Sequence, residues 1–268
     1  MALPDNLSMS VQMKGVFMKY IKQDKRMTCL LIGFVSMLLC GVSDCLLSFM
    51  GEGGPYAVDK MVSMNISDVP LWYYQASFVI GIIAAVGYYL GASSVWSYAY
   101  DRLGAQTSRS LKAYSFGTTM MLIGIFGIHS ICCLALMNVR AAVLSGVTAE
   151  NIEKYFLPSS LHPFIIGTAW QTTADLISGI AFIILVCKGI INVRKEWIAV
   201  GPLCLYVICQ ALGTFLASVT DNSSFKHWLA GGESWGIAFM FMAVAAACRK
   251  YNKTNNGHTI IELQEETK

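Results

Sequence analysis

Long apolar runs alternate with short polar segments along the whole chain. Most of the runs have ~20 residues or more, the length that an α-helix needs to cross the ~30 Å hydrocarbon core of a bilayer. The pattern predicts an all-α fold, a polytopic membrane bundle of six transmembrane helices. The predicted spans are 27–50, 71–98, 113–137, 163–187, 197–218 and 234–248, the last of which could begin earlier, near Trp228.

The polar segments divide the chain into three parts. Residues 1–26 form a basic N-terminal segment, and its apolar positions between Ser8 and Tyr20 suit either an amphipathic helix on the membrane surface or a simple basic tail. Residues 27–248 form the predicted six-helix transmembrane domain. Residues 249–268 are a polar tail, predicted to be disordered or to act as a short docking peptide.

The positions of Lys and Arg predict the orientation of the bundle. Fifteen of the 19 basic residues lie before the first span or after the second, fourth and sixth spans, and four lie in the other polar segments. Because cytoplasmic segments carry the excess of basic residues, both termini are predicted to be cytoplasmic. The predicted location is the plasma membrane, with a bacterial inner membrane as the favoured case.

Composition agrees with a membrane protein and excludes several other classes. Hydrophobic residues make up 55% of the chain and charged residues 13%, which is outside the usual range for soluble domains. The net charge of +3 arises from basic residues between the spans, so a nucleic-acid partner is not predicted. Most of the nine cysteines lie within apolar spans, so no disulfide framework is predicted. The expected partners are the lipid bilayer and a lipid or small-molecule ligand.

Three ionisable residues lie inside the apolar runs, namely Asp44, His129 and Asp175. An ionisable side chain in hydrocarbon is costly unless it faces another polar group or water. With the predicted orientation and a rise of ~1.5 Å per residue, all three lie at or above the middle of the membrane. The sequence therefore predicts that they meet in a polar pocket in the outer half of the bundle. Asp221 and Glu233 are predicted to be solvated at the membrane edge.

Other polar residues at similar depth are candidate binding groups for the same pocket. They are Ser43, Ser48, Tyr74, Gln171, Thr172 and Gln210. A structural alternative stays open for each: Ser48 could cap Asp44 locally, and His129 could serve as a hydrogen-bond partner for a facing backbone carbonyl.

Three functions are compatible with this set of residues. The first is binding or transport of a small or lipid-like molecule or an ion. The second is a membrane-embedded lipid-modifying enzyme, a hydrolase or an isomerase, with Asp175 and His129 as acid and base and Asp44 as orienting group. Asp44, His129 and Asp175 could also hold a divalent metal, although no motif such as HExxH or paired CxxC supports one. The third is a scaffold in which buried polar groups fix the packing.

The segment 140–162 is the longest predicted outer loop. Its sequence TAENIEKYFLP predicts a short helix with Thr148 as N-cap and Pro158 just past its end.

Several short motifs resemble known membrane proteins. The motifs GVSDCLLSF, GIHSICC, Gly201-Pro202 and GGESWGIAFMF resemble an uncharacterised family of bacterial six-span integral membrane proteins without an established activity. Ser43, Asp44 and His129 also resemble part of the Ser, Asp and His set with which alkaline-ceramidase-like hydrolases hold zinc. Those hydrolases have seven spans and a closing HxxxH motif, and this chain has neither. A sterol-isomerase-like bundle matches the residue types alone.

Overall fold

The computed structural model describes residues 18–49, 56–58, 62–64, 66–104, 108–222 and 224–265. In these ranges the α-helices are α1 (Gln23–Ser48), α2 (Leu71–Arg102), α3 (Arg109–Ile123), α4 (His129–Leu144), α5 (Ala149–Asn151), α6 (Leu157–Cys187), α7 (Pro202–Thr220), α8 (Ser224–Trp228) and α9 (Gly232–Glu265). Two π-helical segments, Gly124–Ile128 and Ile152–Phe156, and a 3₁₀-helix, Lys195–Val200, join some of them. Strands β1 (Tyr56–Val58) and β2 (Val62–Met64) pair antiparallel between α1 and α2.

The prediction of six membrane helices is confirmed. The helical stretches long and apolar enough to cross a bilayer are Gln23–Ser48, Leu71–Arg102, Arg109–Leu144, Ala169–Cys187, Pro202–Thr220 and Ser224–Arg249. We number them spans one to six. The third span joins α3, a π-helical turn and α4, and the sixth joins α8 and the first half of α9. The cytoplasmic position of the termini stays a prediction.

Small residues allow the first two spans to approach closely. Gly33 lies against the backbone of Gly91, and an added Cβ there would come 2.9 Å from the Gly91 Cα. Gly87 lies in the same way against the Ser36 side chain. Helices in lipid associate largely by van der Waals packing, so the glycines let this pair form the centre on which the sixth span also packs.

The predicted helix after Thr148 begins where expected but does not end at Pro158. Helix α5 starts at Ala149, and the Thr148 hydroxyl accepts a hydrogen bond from the Asn151 backbone N–H at 3.4 Å. The chain then stays helical into α6, so the predicted end is wrong. Pro158 is the second residue of α6, directly after the π-helical segment Ile152–Phe156.

For the tail the structure departs from the expected disorder, while the docking role stays a prediction. Helix α9 continues through the polar residues after Tyr251 as far as Glu265. The amphipathic helix proposed between Ser8 and Tyr20 falls mostly outside the described residues.

An ion pair between a buried arginine and an exposed aspartate joins the start of the first span to the end of the second. Arg26 is 2% exposed, and its guanidinium lies 2.6 Å from a carboxylate oxygen of Asp101. The Tyr20 hydroxyl donates to the same carboxylate at 3.0 Å, and Arg26 Nε donates to the carbonyl of Ile21 at 3.1 Å. Burial, with the Asp101 charge beside it, raises the pKa of Tyr20 and keeps its hydroxyl protonated as a donor.

We expect Arg26→Ala to lower the free energy of unfolding by about 2 kcal/mol, because Asp101 and the Ile21 carbonyl lose charge-assisted hydrogen bonds. The melting temperature of the protein in a mild detergent measures the effect. Arg194→Ala is the matched control, since the Arg194 side chain is 81% exposed in its pair with Glu196 and should change stability by less than about 0.5 kcal/mol. Equal melting temperatures for the two variants would contradict the structural role of Arg26.

Candidate functional site

A cavity of about 750 Å³ lies between the spans at the predicted outer end of the bundle. Side chains from the first, third, fourth, fifth and sixth spans line it. Its polar lining includes carboxyl, imidazole, amide and hydroxyl groups, from Asp44, Ser48, His129, Gln171, Thr172, Asp175, His227, Glu233 and Ser234. Among the described lining residues there is no Lys or Arg. The cavity therefore has an acidic polar region within a wall that is otherwise largely apolar.

Asp44 links three spans at one end of this polar region. One carboxylate oxygen, Oδ2, accepts a hydrogen bond from the Ser234 hydroxyl of the sixth span at 2.6 Å. The other, Oδ1, lies 3.4 Å from Nδ1 of His129 in the third span. The predicted meeting of Asp44 and His129 is thus present in the geometry.

The far side of the His129 ring faces hydrogen-bond acceptors. Its Nε2 lies 3.0 Å from the hydroxyl oxygens of Ser43 and Ser77 and 3.2 Å from the Ser77 carbonyl oxygen. The Ser43 hydroxyl donates to the Ser77 carbonyl at 2.8 Å, and the Ser77 hydroxyl donates to the Ser43 carbonyl at 2.9 Å. The Ser43 and Ser77 hydroxyls and His129 Nε2 therefore form one hydrogen-bonded group that joins the first, second and third spans.

The local backbone places His129 at this position. The π-helical turn Gly124–Ile128 precedes it directly and inserts one residue into the third span, a distortion that is frequent at functional sites. On the second span, Gly81 leaves room for the ring, since an added Cβ would come 2.6 Å from His129 Cδ2. A larger residue at Gly81 would push the imidazole away from Ser77.

Gln171, Asp175 and Glu233 form the second polar group of the cavity. The Gln171 amide donates to a Glu233 carboxylate oxygen at 2.7 Å. Asp175 lies one helical turn after Gln171 and lines the same cavity as Glu233. The prediction that Glu233 is solvated at the membrane edge is therefore wrong, because the sixth span begins early enough to turn this side chain into the cavity.

Asp175 is the most deeply enclosed carboxyl group of the site. It is 6% exposed, and its Oδ1 atom has no hydrogen-bond partner among the described residues. A buried carboxylate oxygen without a donor is unfavourable, because the atom has lost its hydration without replacement. This atom is a point at which a ligand could supply the missing donor.

The remaining predicted residues lie in different places. Thr172 and Ser48 line the cavity, and Ser43 lies behind His129 with no exposed surface. Tyr74 is outside the cavity, in an apolar cluster where its hydroxyl donates to the Phe49 carbonyl at 2.7 Å. Gln210 is exposed on the fifth span and does not line the cavity.

Sequence reasoning did not assign Glu233, Ser234 or His227 to the site, although all three line the cavity. The motif GGESWG carried a usable signal, since Glu and Ser stand together at the start of an apolar run. For the metal hypothesis, the described residues contain no group of three or more His, Cys, Asp or Glu side chains that could hold a metal ion.

The cavity lies beside an exposed seam between the fourth and fifth spans. Leu176, Tyr206 and Val207 line the cavity and are 47%, 44% and 63% exposed. The fifth span is the least enclosed, with 17% of its apolar window buried against 39 to 61% for the others. In a bilayer this seam would face the acyl chains of lipids.

The chain belongs to a family of unknown function, DUF6796, whose match covers residues 14–251. This agrees with the resemblance to an uncharacterised family. No curated protein and no solved structure matches the chain.

Proposed function

We propose that this member of the DUF6796 family binds a small amphipathic molecule in the cavity that contains Asp44, His129 and Asp175. The observation that carries the proposal is the cavity itself, in which polar groups from separate spans share one apolar-walled space. We extend the proposal to transport of the same molecule, which would enter the cavity from the bilayer.

The size and lining of the cavity support an organic ligand. Pockets for small molecules usually enclose about 300 to 1,000 Å³, with a mostly apolar wall and a few placed polar groups. The cavity of about 750 Å³ is in this range. A bare ion would leave most of it empty, whereas an amphipathic molecule can fill the apolar part and satisfy the polar part. Leu47, Ile125 and Ile128 supply part of that apolar wall.

The position of the exposed seam supports entry from the membrane. A ligand with an acyl or other apolar body is concentrated in the hydrocarbon of the bilayer, and the seam between Leu176 and Tyr206 opens to that region. Such a ligand could enter sideways between the fourth and fifth spans without crossing the polar loops.

The alternative functions receive less support from the geometry. A hydrolase with Ser43 as nucleophile would need its hydroxyl in the cavity, but Ser43 has no exposed surface and donates to the Ser77 carbonyl. In a scaffold, the buried polar groups would form hydrogen bonds with one another, and none would be left without a partner. Asp175 Oδ1 lacks a partner among the described residues, and a large cavity adjoins it.

Closing the cavity with a large side chain tests the proposed function. Thr172 lines the cavity, and Thr173, the next residue on the same helix, is also exposed but does not line it. We expect Thr172→Trp to remove at least ~90% of saturable binding of radiolabelled dodecanol, because the indole occupies the ligand space. Binding is measured on protein in phospholipid nanodiscs, with the signal of empty nanodiscs subtracted.

Thr173→Trp is the control, because its indole faces away from the cavity and should leave binding within about twofold of the parent protein. Binding of dodecylamine and of dodecanoate, whose head groups are charged, is measured in the same way. If none of the three probes binds saturably, or if both Trp variants bind like the parent, the cavity is not a ligand site.

A further inference from the structure

The carboxyl groups of the cavity fall into two sets with different charge balance. Asp44 lies beside His129, with its Oδ1 atom 3.4 Å from Nδ1 of the imidazole. Asp175 and Glu233 line the same cavity, and the Gln171 amide that donates to Glu233 at 2.7 Å is neutral.

No Lys or Arg is present among the described lining residues to offset the charge of these two carboxyl groups. In a membrane interior a net charge is strongly unfavourable unless an opposite charge accompanies it. Asp175 Oδ1 adds a geometric requirement, because this buried atom lacks a donor in the described part of the chain. The missing partner must therefore bring both a positive charge and an N–H or O–H group.

We infer that the cavity binds a protonated amine attached to an apolar body, with the ammonium group at Asp175 and Glu233. This inference rests on the proposed function and specifies the ligand class of the same site. An ammonium group carries three N–H donors and one positive charge, so it can donate to Asp175 Oδ1 and balance the carboxyl pair at once.

The rest of the cavity suits the remainder of such a molecule. Thr172 and Leu176 lie one position after Gln171 and Asp175 on the fourth span and line the route towards the exposed seam. With the ammonium at Asp175, an alkyl chain could extend past Leu176 and Val207 into the bilayer. An alkanoate would add a further negative charge beside the carboxyl pair, and an alkanol would bring a donor without the positive charge.

The head-group preference of the unmodified protein is the first test. Dodecylamine, dodecanol and dodecanoate share one chain length, and the amine is protonated at neutral pH. In nanodiscs of zwitterionic phospholipid we expect dodecylamine to bind at least about tenfold more tightly than dodecanol after correction for partitioning into empty discs, and dodecanoate to bind most weakly. Equal affinities for amine and alcohol would overturn the inference, while leaving the cavity as a ligand site.

Asp175→Asn is the second test, because it keeps the size of the side chain and removes its charge. We expect it to weaken dodecylamine binding at least about tenfold and to leave dodecanol binding within about threefold. Asp221→Asn is the matched control: Asp221 is exposed, lies outside the cavity and has a left-handed backbone conformation that Asn also tolerates. If Asp221→Asn weakens amine binding as much as Asp175→Asn, the ammonium does not bind at the proposed carboxyl pair. Absence of saturable binding for all three probes is the separate result that removes the proposed function.

Discussion

Replacing Gly231 with Ala is expected to reduce the free energy of unfolding by at least about 3 kcal/mol. Gly231 lies directly before helix α9, and an added Cβ there would collide with the backbone carbonyl of Gly41 in the first span. Because the added Cβ would meet backbone atoms, no rotation of a side chain can relieve the collision, and the start of α9 must move. Chemical denaturation in detergent, or loss of monodisperse protein on size-exclusion chromatography, measures the effect.

Gly127→Ala is the control for this substitution. Gly127 lies in the π-helical turn of the third span, and an added Cβ there meets no atom within 4 Å. We expect Gly127→Ala to change stability by less than about 1 kcal/mol. If Gly231→Ala were as stable as Gly127→Ala, the close approach of the first and sixth spans would be incorrect, and so would the position of Glu233 and Ser234 beside Asp44.

The second large effect is expected at His129. His129→Ala removes the hydrogen-bond partner of the Ser43 and Ser77 hydroxyls, leaves Asp44 without its imidazole and opens a void beside Gly81. We expect a loss of about 3 kcal/mol in the free energy of unfolding. Ser130→Ala is the control, since the Ser130 hydroxyl donates to the Phe126 carbonyl in its own span. We expect Ser130→Ala to change the free energy of unfolding by less than about 0.5 kcal/mol.

A double-mutant cycle separates the pair from its surroundings. We expect His129→Ala and Asp44→Asn to be non-additive, with a coupling free energy of about 1 to 3 kcal/mol, because the two side chains face each other at 3.4 Å. Additive losses of stability would show that Asp44 and His129 act independently. That result would contradict their interaction at this end of the cavity.

The six spans could be predicted from the sequence because length and apolarity alone decide whether a helix can cross a bilayer. The association of Asp44, His129 and Asp175 with one cavity could be predicted for a similar reason, since ionisable groups in hydrocarbon must face a polar space. Both arguments use depth along the membrane normal, which residue number gives at a fixed rise per residue.

The direction in which a side chain points around its helix could not be predicted in the same way. Successive residues turn by ~100°, so neighbouring positions can face opposite environments at equal depth. Cys209 is buried at 7% exposure, whereas Gln210, the next residue, is exposed and outside the cavity. Tyr74 has a suitable depth in the membrane, but its hydroxyl donates to the Phe49 carbonyl outside the cavity.

Glu233 could not be assigned to the site because the apolar pattern predicts a sixth span over 234–248, with an earlier start near Trp228 only as an alternative. At the edge of the shorter span, Glu233 is predicted to be solvated. In the structure the helical stretch begins at Ser224, and Glu233 lies within it, bonded to Gln171. The apolar content of the segment from Phe225 to Ala230 is interrupted by Lys226 and His227, and this interruption concealed the true start.

An experimental structure of the protein with dodecylamine bound would test the central claim most directly. The account predicts ligand density in the cavity, with the nitrogen within hydrogen-bonding distance of Asp175 Oδ1 and the alkyl chain directed past Leu176. Density for the amine confined to the lipid-facing surface, with the cavity empty or collapsed around Asp44 and His129, would contradict it.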